Sequence, residues 1–173
     1  METVNGEEIK RFTACKDLNV GQTVMTCNSN GVQSLSKIEY ITVQMFNGKM
    51  KFMTENVLIT PWHPIFNTDS KRYVFPQSFP ITRDYTGPVY NFVLENRANI
   101  ILGNTNYSSI EAVTLGHGIK DDPVASHEYL GTSNVVMDII SIKNEQIQNG
   151  NNSQYVHISQ EFRDKENKIN KWV

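Results

Sequence analysis

Cysteine is scarce in this chain, with only Cys15 and Cys27 among 173 residues. Two thiols are too few for a disulfide-stapled scaffold. No C-x-x-C pair or Cys/His cluster supplies zinc-ligand spacing, so no metal is expected. The expectation is two reduced, partly buried thiols, with a structural disulfide as the alternative. Long apolar runs are also missing. No stretch approaches the roughly 18 consecutive apolar residues of a membrane-spanning helix. The opening "METVNGEEIKRF" has no signal-peptide core. A cytoplasmic chain with no membrane partner is therefore expected. Excess charge is absent as well: 16 Lys and Arg against 18 Asp and Glu leave a net charge of -2. That balance gives no reason to expect a nucleic-acid partner. There is no internal repeat.

What the chain does have is 39% hydrophobic residues, enough for the core of one ordinary domain. It is also rich in tight-turn signals. Asn-Gly occurs at Asn5-Gly6, Asn30-Gly31, Asn47-Gly48 and Asn149-Gly150. This dipeptide supplies the positive φ angles of a type I′ turn between paired strands. "KIEYITVQMF" before Asn47-Gly48 and "KMKFM" after it read as a hairpin, the first arm being β-branched and aromatic. "VYNFVLE", Val89 to Glu95, and "NIILG" read as a second hairpin across "NRA". "EAVTLGHG" reads as a strand stopped by Gly-His-Gly, and "NVLITPW" as one stopped by Pro61. Many short strands with regular turns indicate an all-β fold.

After Gly131 the pattern changes. "NVVMDIISIKNEQI" places Val135, Ile139 and Ile142 on one helical face, with Ser133 or Asn134 as N-cap, although a strand remains the alternative. "NEQIQNGNNSQ" is polar and reads as a loop. "YVHISQEFRDKENKINKWV" reads as a terminal hairpin, with Arg163 and Asp164 as a local ion pair. His127 and His157 read as surface or edge residues.

"LITPWHPI", "VYNFVLENRANIILGN" and "AVTLGHG" follow one another in this order, with "SHEYLGT" and Arg163-Asp164 later. Together they resemble the Hint superfamily, which contains the Hedgehog autoprocessing domain and the inteins. They are most similar to its Vint type, found beside von Willebrand factor A domains. "TPWH" is similar to the T-x-x-H block, and "VYNFVLENRANIIL" to the block with Val-Tyr-Asp-Leu. The resemblance implies an all-β Hint-type horseshoe over residues 1–133. Residues 134–173 would form a C-terminal extension, a short helix plus a hairpin.

The resemblance also implies a reaction. A Cys or Ser at the first position of such a domain attacks the carbonyl just before it, giving a thioester or ester. No metal or organic cofactor is needed. His63 would protonate the departing amine, because histidine titrates near neutrality. Thr60 would hold the amide, Pro61 and Pro64 would fix the backbone, and Trp62 would form a wall. On local grounds alone, a histidine between two prolines is a turn residue. His117 reads either as a cleft residue or as a turn residue between two glycines. Asn91 stands where the motif has its carboxylate, and Ala98 where inteins have a second histidine. No His-Asn pair ends the domain, so protein splicing is not expected.

The partner implied is the chain's own flanking polypeptide, such as a von Willebrand factor A-type domain in a longer relative. Because the first strand and its Cys are not found before Asn5-Gly6, the chain as given is expected not to cleave itself. Cys15 and Cys27 both follow that turn and read as structural. The alternative is a degenerate Hint domain serving as a structural or protein-interaction module.

Overall fold

The computed structural model describes residues 12–54, 56–103 and 110–173, together with the backbone of 2–4 and 7–9. The strands are β1 (Glu2–Val4), β2 (Glu7–Ile9), β3 (Thr23–Cys27), β4 (Gln33–Thr54), β5 (Val57–Ile59), β6 (Ile65–Asn67) and β7 (Arg72–Val74). They continue with β8 (Thr82–Leu94), β9 (Asn99–Leu102) and β10 (Ile110–Ala112). Helix α1 (Ser133–Gln148) then precedes β11 (Tyr155–His157), β12 (Glu161–Arg163) and β13 (Ile169–Trp172). The fold is all-β with one α-helix among the described residues. Its main sheet runs β11-β4-β3-β9-β10-β6-β7, and β5 and β8 also pair with β4. No helix among the described residues is long and apolar enough to cross a membrane.

Asn30-Gly31 does turn the chain between β3 and β4. Gly31 takes φ +77°, and the Asn28 carboxamide oxygen accepts the N–H groups of Asn30 and Val32. The turn expected at Asn47-Gly48 does not form. Strand β4 runs straight through it, with Asn47 opposite Thr86 and Gly48 opposite Tyr85 of β8. A continuous ladder with β8, reinforced by the Thr86 hydroxyl on the Asn47 carboxamide oxygen at 2.9 Å, overrides the local preference. Asn5-Gly6 lies outside the described residues; the flanking β1 and β2 pair antiparallel with Val4 opposite Glu7.

The hairpin expected between Val89–Glu95 and "NIILG" is also corrected. Both strands exist, but β8 pairs with β4 whereas β9 pairs with β3 and β10. Between them Arg97 takes φ 58°. Its guanidinium, 3.1 Å from Glu39, helps redirect the chain from one pairing to the other. Strand β5 ends at Ile59, just before Pro61 as expected.

"NVVMDIISIKNEQI" is helical, with Val135, Ile139 and Ile142 buried. Its cap is Thr132 rather than Ser133 or Asn134, because the Thr132 hydroxyl reaches the Asn134 N–H at 3.3 Å. The helix continues through Gln148, so "NEQIQ" is not loop. Gln146 is anchored there by bonds to the Tyr155 carbonyl and the His157 N–H. Asn149-Gly150 is a helix stop, not a hairpin turn: Gly150 takes φ +82° and bonds back to the Ile147 carbonyl at 3.0 Å. The terminal segment forms the β12–β13 hairpin, while β11 runs parallel to β4. The Arg163–Asp164 pair is absent. Arg163 instead meets Glu161 at 2.7 Å, and the Asp164 carboxylate accepts the turn N–H groups of Glu166 and Lys168.

Two large apolar clusters and a smaller one of Tyr73, Val113 and Ala125 carry the core among the described residues. One gathers Ile38, Ile41, Ile59, Phe92 and Ile100 between the strands. The other joins Val93 and Leu115 to Val135, Ile139, Val156 and Trp172.

Candidate functional site

The Thr60–Pro61–Trp62–His63 stretch is a tight turn closed by the His63 N–H on the Thr60 carbonyl at 3.2 Å. Proline at the second position pre-sets φ for such a turn. The Pro61 carbonyl also accepts the Gln77 N–H at 2.8 Å, which ties the turn to the chain beyond β7. Trp62 is 66% exposed and meets Phe75 edge-on at 5.3 Å.

"EAVTLGHG" departs from the expected single strand. Strand β10 stops at Ala112, and the chain then crosses between two elements. The Val113 N–H bonds the Pro64 carbonyl at 3.2 Å, and the Leu115 N–H bonds the Phe92 carbonyl at 2.9 Å. The Val113 carbonyl lies 2.9 Å from His63 Nε2. The crossing therefore brings the Thr60–His63 turn beside β8. A carbonyl can only accept, so Nε2 carries the ring proton and Nδ1 is left unprotonated. Burial pushes the His63 pKa below its ordinary value, and the bond to Val113 opposes this. The ring is thus neutral at neutral pH.

Thr60, His63, Asn91 and His117 line one open cavity of about 1850 Å³. Asn91 is half-buried on β8, opposite Thr42 of β4, whose hydroxyl is 3.5 Å from the Asn91 carbonyl. Half-buried Ala98 offers no proton-transfer group; its carbonyl accepts the Thr114 hydroxyl at 3.0 Å.

His117 stands both at the cavity and in a turn. It lines the cavity, and it also holds its own turn, Nδ1 accepting the Ile119 N–H at 2.9 Å. Its ring packs against Gly131, where a Cβ would come within 2.9 Å of the imidazole. Burial drives its pKa down to about 4, with His63 and His127 adding smaller repulsions and a bond to the Ala125 carbonyl opposing. The unfolded chain therefore takes up this proton first as pH falls. Stability carried by neutral His117 is complete above about pH 6.5 and is lost as pH falls toward about 4. At pH 5 the loss is about 2 kcal/mol. The urea midpoint of the chain should drop between pH 7 and pH 5. It should drop less in His117→Asn, whose amide oxygen replaces Nδ1 as acceptor. Equal drops would assign the effect to another group.

His127 is half-buried rather than a surface residue, because Nδ1 accepts the N–H groups of Tyr129 and Leu130. His157 is exposed on β11. Cys15 and Cys27 are both free, as expected for reduced thiols. Cys15 lines the cavity and burial raises its pKa. Cys27 is 1% exposed, and its pKa is raised to about 11 by burial and by Glu111. Neither is activated toward the thiolate.

Sequence reasoning missed three positioning groups. Asp122 accepts the Val124 and Ala125 N–H groups and so shapes the loop against His117. The Tyr129 hydroxyl donates to Asp138 at 2.7 Å and accepts the Trp172 N–H at 2.8 Å, which pins β13 to α1. An Asp directly before Pro123 was a readable turn signal for the first. No local signal marked the second set.

A turn that holds histidine beside a strand pair, in an all-β chain with these motifs, agrees with the family comparison. The family model Vint, described as a Hint-domain, matches residues 3–169. The chain belongs to the Vint family of Hint domains. The match takes in α1 and β11 as well as the T-x-x-H turn. No curated protein matches this Vint domain.

Proposed function

We propose that this Vint domain cleaves the polypeptide flanking it by intramolecular acyl transfer. A hydroxyl or thiol of that polypeptide, delivered into the cavity, attacks the carbonyl of the adjoining peptide bond. The observation that carries this reading is the His63 ring held through Nε2 by the Val113 carbonyl, which leaves Nδ1 unprotonated. Nδ1 takes the proton from the attacking group. A sulfur– or oxygen–carbon bond forms, the carbon–nitrogen bond breaks, and the departing amine takes the proton from Nδ1. Burial lowers the His63 pKa, which makes its protonated form a stronger acid toward the leaving amine than an ordinary imidazolium. Thr60 holds the scissile amide. The flanking polypeptide is the substrate, in longer relatives one carrying a von Willebrand factor A-type domain.

To test this, a reporter domain and a Cys-led strand are placed before Met1. Incubation with dithiothreitol should release the reporter, as followed by mass spectrometry. A folded fusion that stays whole would overturn the reading.

A second reading, an interaction module without chemistry, is supported by the lack of a carboxylate at Asn91 and of a second histidine at Ala98. It would be upheld by that folded, uncleaved fusion. The raised pKa values of Cys15 and Cys27 predict that neither starts the reaction. Residues 1–173 treated with dithiothreitol should therefore keep a single mass. A thiol-released fragment would identify one of them as the nucleophile.

A further inference from the structure

Strand β8 has one outer edge that β4 does not cover. The direction of its backbone groups follows from register. The Phe92 carbonyl accepts Leu115, so Phe92 points its backbone groups away from β4. At the other end the Phe52 N–H bonds the Ile81 carbonyl, so Ile81 points toward β4. The register between them is regular, with Ile41 opposite Phe92, Val43 opposite Tyr90 and Met45 opposite Pro88. In an antiparallel pair the direction alternates residue by residue, so Tyr90 and Pro88 also point outward.

Pro88 has no N–H, and its carbonyl is taken by the Tyr85 hydroxyl at 2.7 Å. The edge is closed there. Tyr90 is different. Among the described residues its N–H and C=O have no backbone partner on that side. One step further, at Phe92, the edge already accepts a backbone N–H of this chain, from Leu115. Pro88, Tyr90 and Phe92 all line the cavity that contains Thr60 and His63, and apolar Ile59, Ile100 and Ala112 line it too.

We infer that the edge of β8 at Tyr90 binds the polypeptide to be cleaved as an added, extended strand. Main-chain bonds to the Tyr90 N–H and C=O align it, and the apolar cavity wall takes its alternate side chains. Recognition is therefore by backbone, with apolar residues favoured at every second position. The Pro88 stop sets where the added strand ends, and so which peptide bond lies beside His63. This inference rests on the acyl-transfer reading for its substrate, but binding can be measured without cleavage.

The test uses the reporter fusion with the Cys-led strand, in a His63→Ala background that leaves the strand uncleaved. Amide hydrogen exchange at Tyr90 should be at least 10-fold slower in that fusion than in residues 1–173. Unchanged exchange at Tyr90 overturns the inference, whether or not the parent fusion releases its reporter. A parent that fails to release while Tyr90 is protected overturns the cleavage reading alone. In the cleaving parent, Tyr90→Pro removes the outward N–H without touching the β4 ladder. Its release should fall at least 10-fold below that of Tyr90→Ala. Asp84→Pro, at the same kind of edge position but outside the cavity lining, should release at the parent rate. Equal release by Tyr90→Pro and Tyr90→Ala would overturn the docking.

Discussion

Replacing His63 by alanine in the reporter fusion is expected to slow thiol-triggered release by about 100-fold or more, the scale for losing a positioned acid–base group. The expectation follows from geometry. The His63 ring is fixed by the Val113 carbonyl at 2.9 Å and by its own turn bond to Thr60. The proposed proton relay therefore has one defined atom, Nδ1. Alanine removes that atom and leaves the turn, because the turn bond uses backbone. Thr60→Ala should cost less, since it removes one hydrogen bond worth about 0.5–1.5 kcal/mol. Asn91→Asp should leave the rate unchanged or raise it, because it restores a carboxylate. Cys15→Ser should leave the rate unchanged. The readout is the single-exponential release rate, with folding checked by circular dichroism. Equal rates for the parent and a folded His63→Ala would make "TPWH" a rigid turn and nothing more.

Ile139→Ala should lower stability by about 3 kcal/mol, within the range for truncating a buried aliphatic side chain. Ile139 is 0% exposed and sits in the cluster that joins Val93 and Leu115 to Val156 and Trp172. At roughly 2–4 °C per kcal/mol for a chain of this size, Tm should fall by about 6–12 °C. The same cluster connects α1 and β13 to β8, so melting should be one transition. Far-UV circular dichroism and Trp172 fluorescence, read in a Trp62→Phe background, should give the same midpoint. A Trp172 signal that melts first, with the strands intact, would make 134–173 a separable unit.

The candidate site was legible where its contacts are local. A threonine, a proline and a histidine in one tight turn can be read directly, because the turn closes within four residues. The buried face of α1 was legible for a similar reason: Val135, Ile139 and Ile142 recur at helical spacing. His117 was only half legible. Its two flanking glycines announce a turn, but its neutrality comes from burial against segments distant in sequence. The ladder through Asn47-Gly48 was misread because a two-residue turn signal competes with pairing partners almost forty residues away, which no local window contains.

The sequence by itself determined the family, the all-β class and the T-x-x-H turn. Each depends on residue identity and on spacing over a few positions. Only the tertiary structure decided that Val113 holds the His63 ring, that β8 and β9 pair with different partners, and that Tyr90 on β8 has no outward backbone partner among the described residues. These depend on where a long strand stops pairing and on which carbonyl a crossing segment presents. Backbone carbonyls are identical in every residue, so no side-chain pattern marks the one that meets His63.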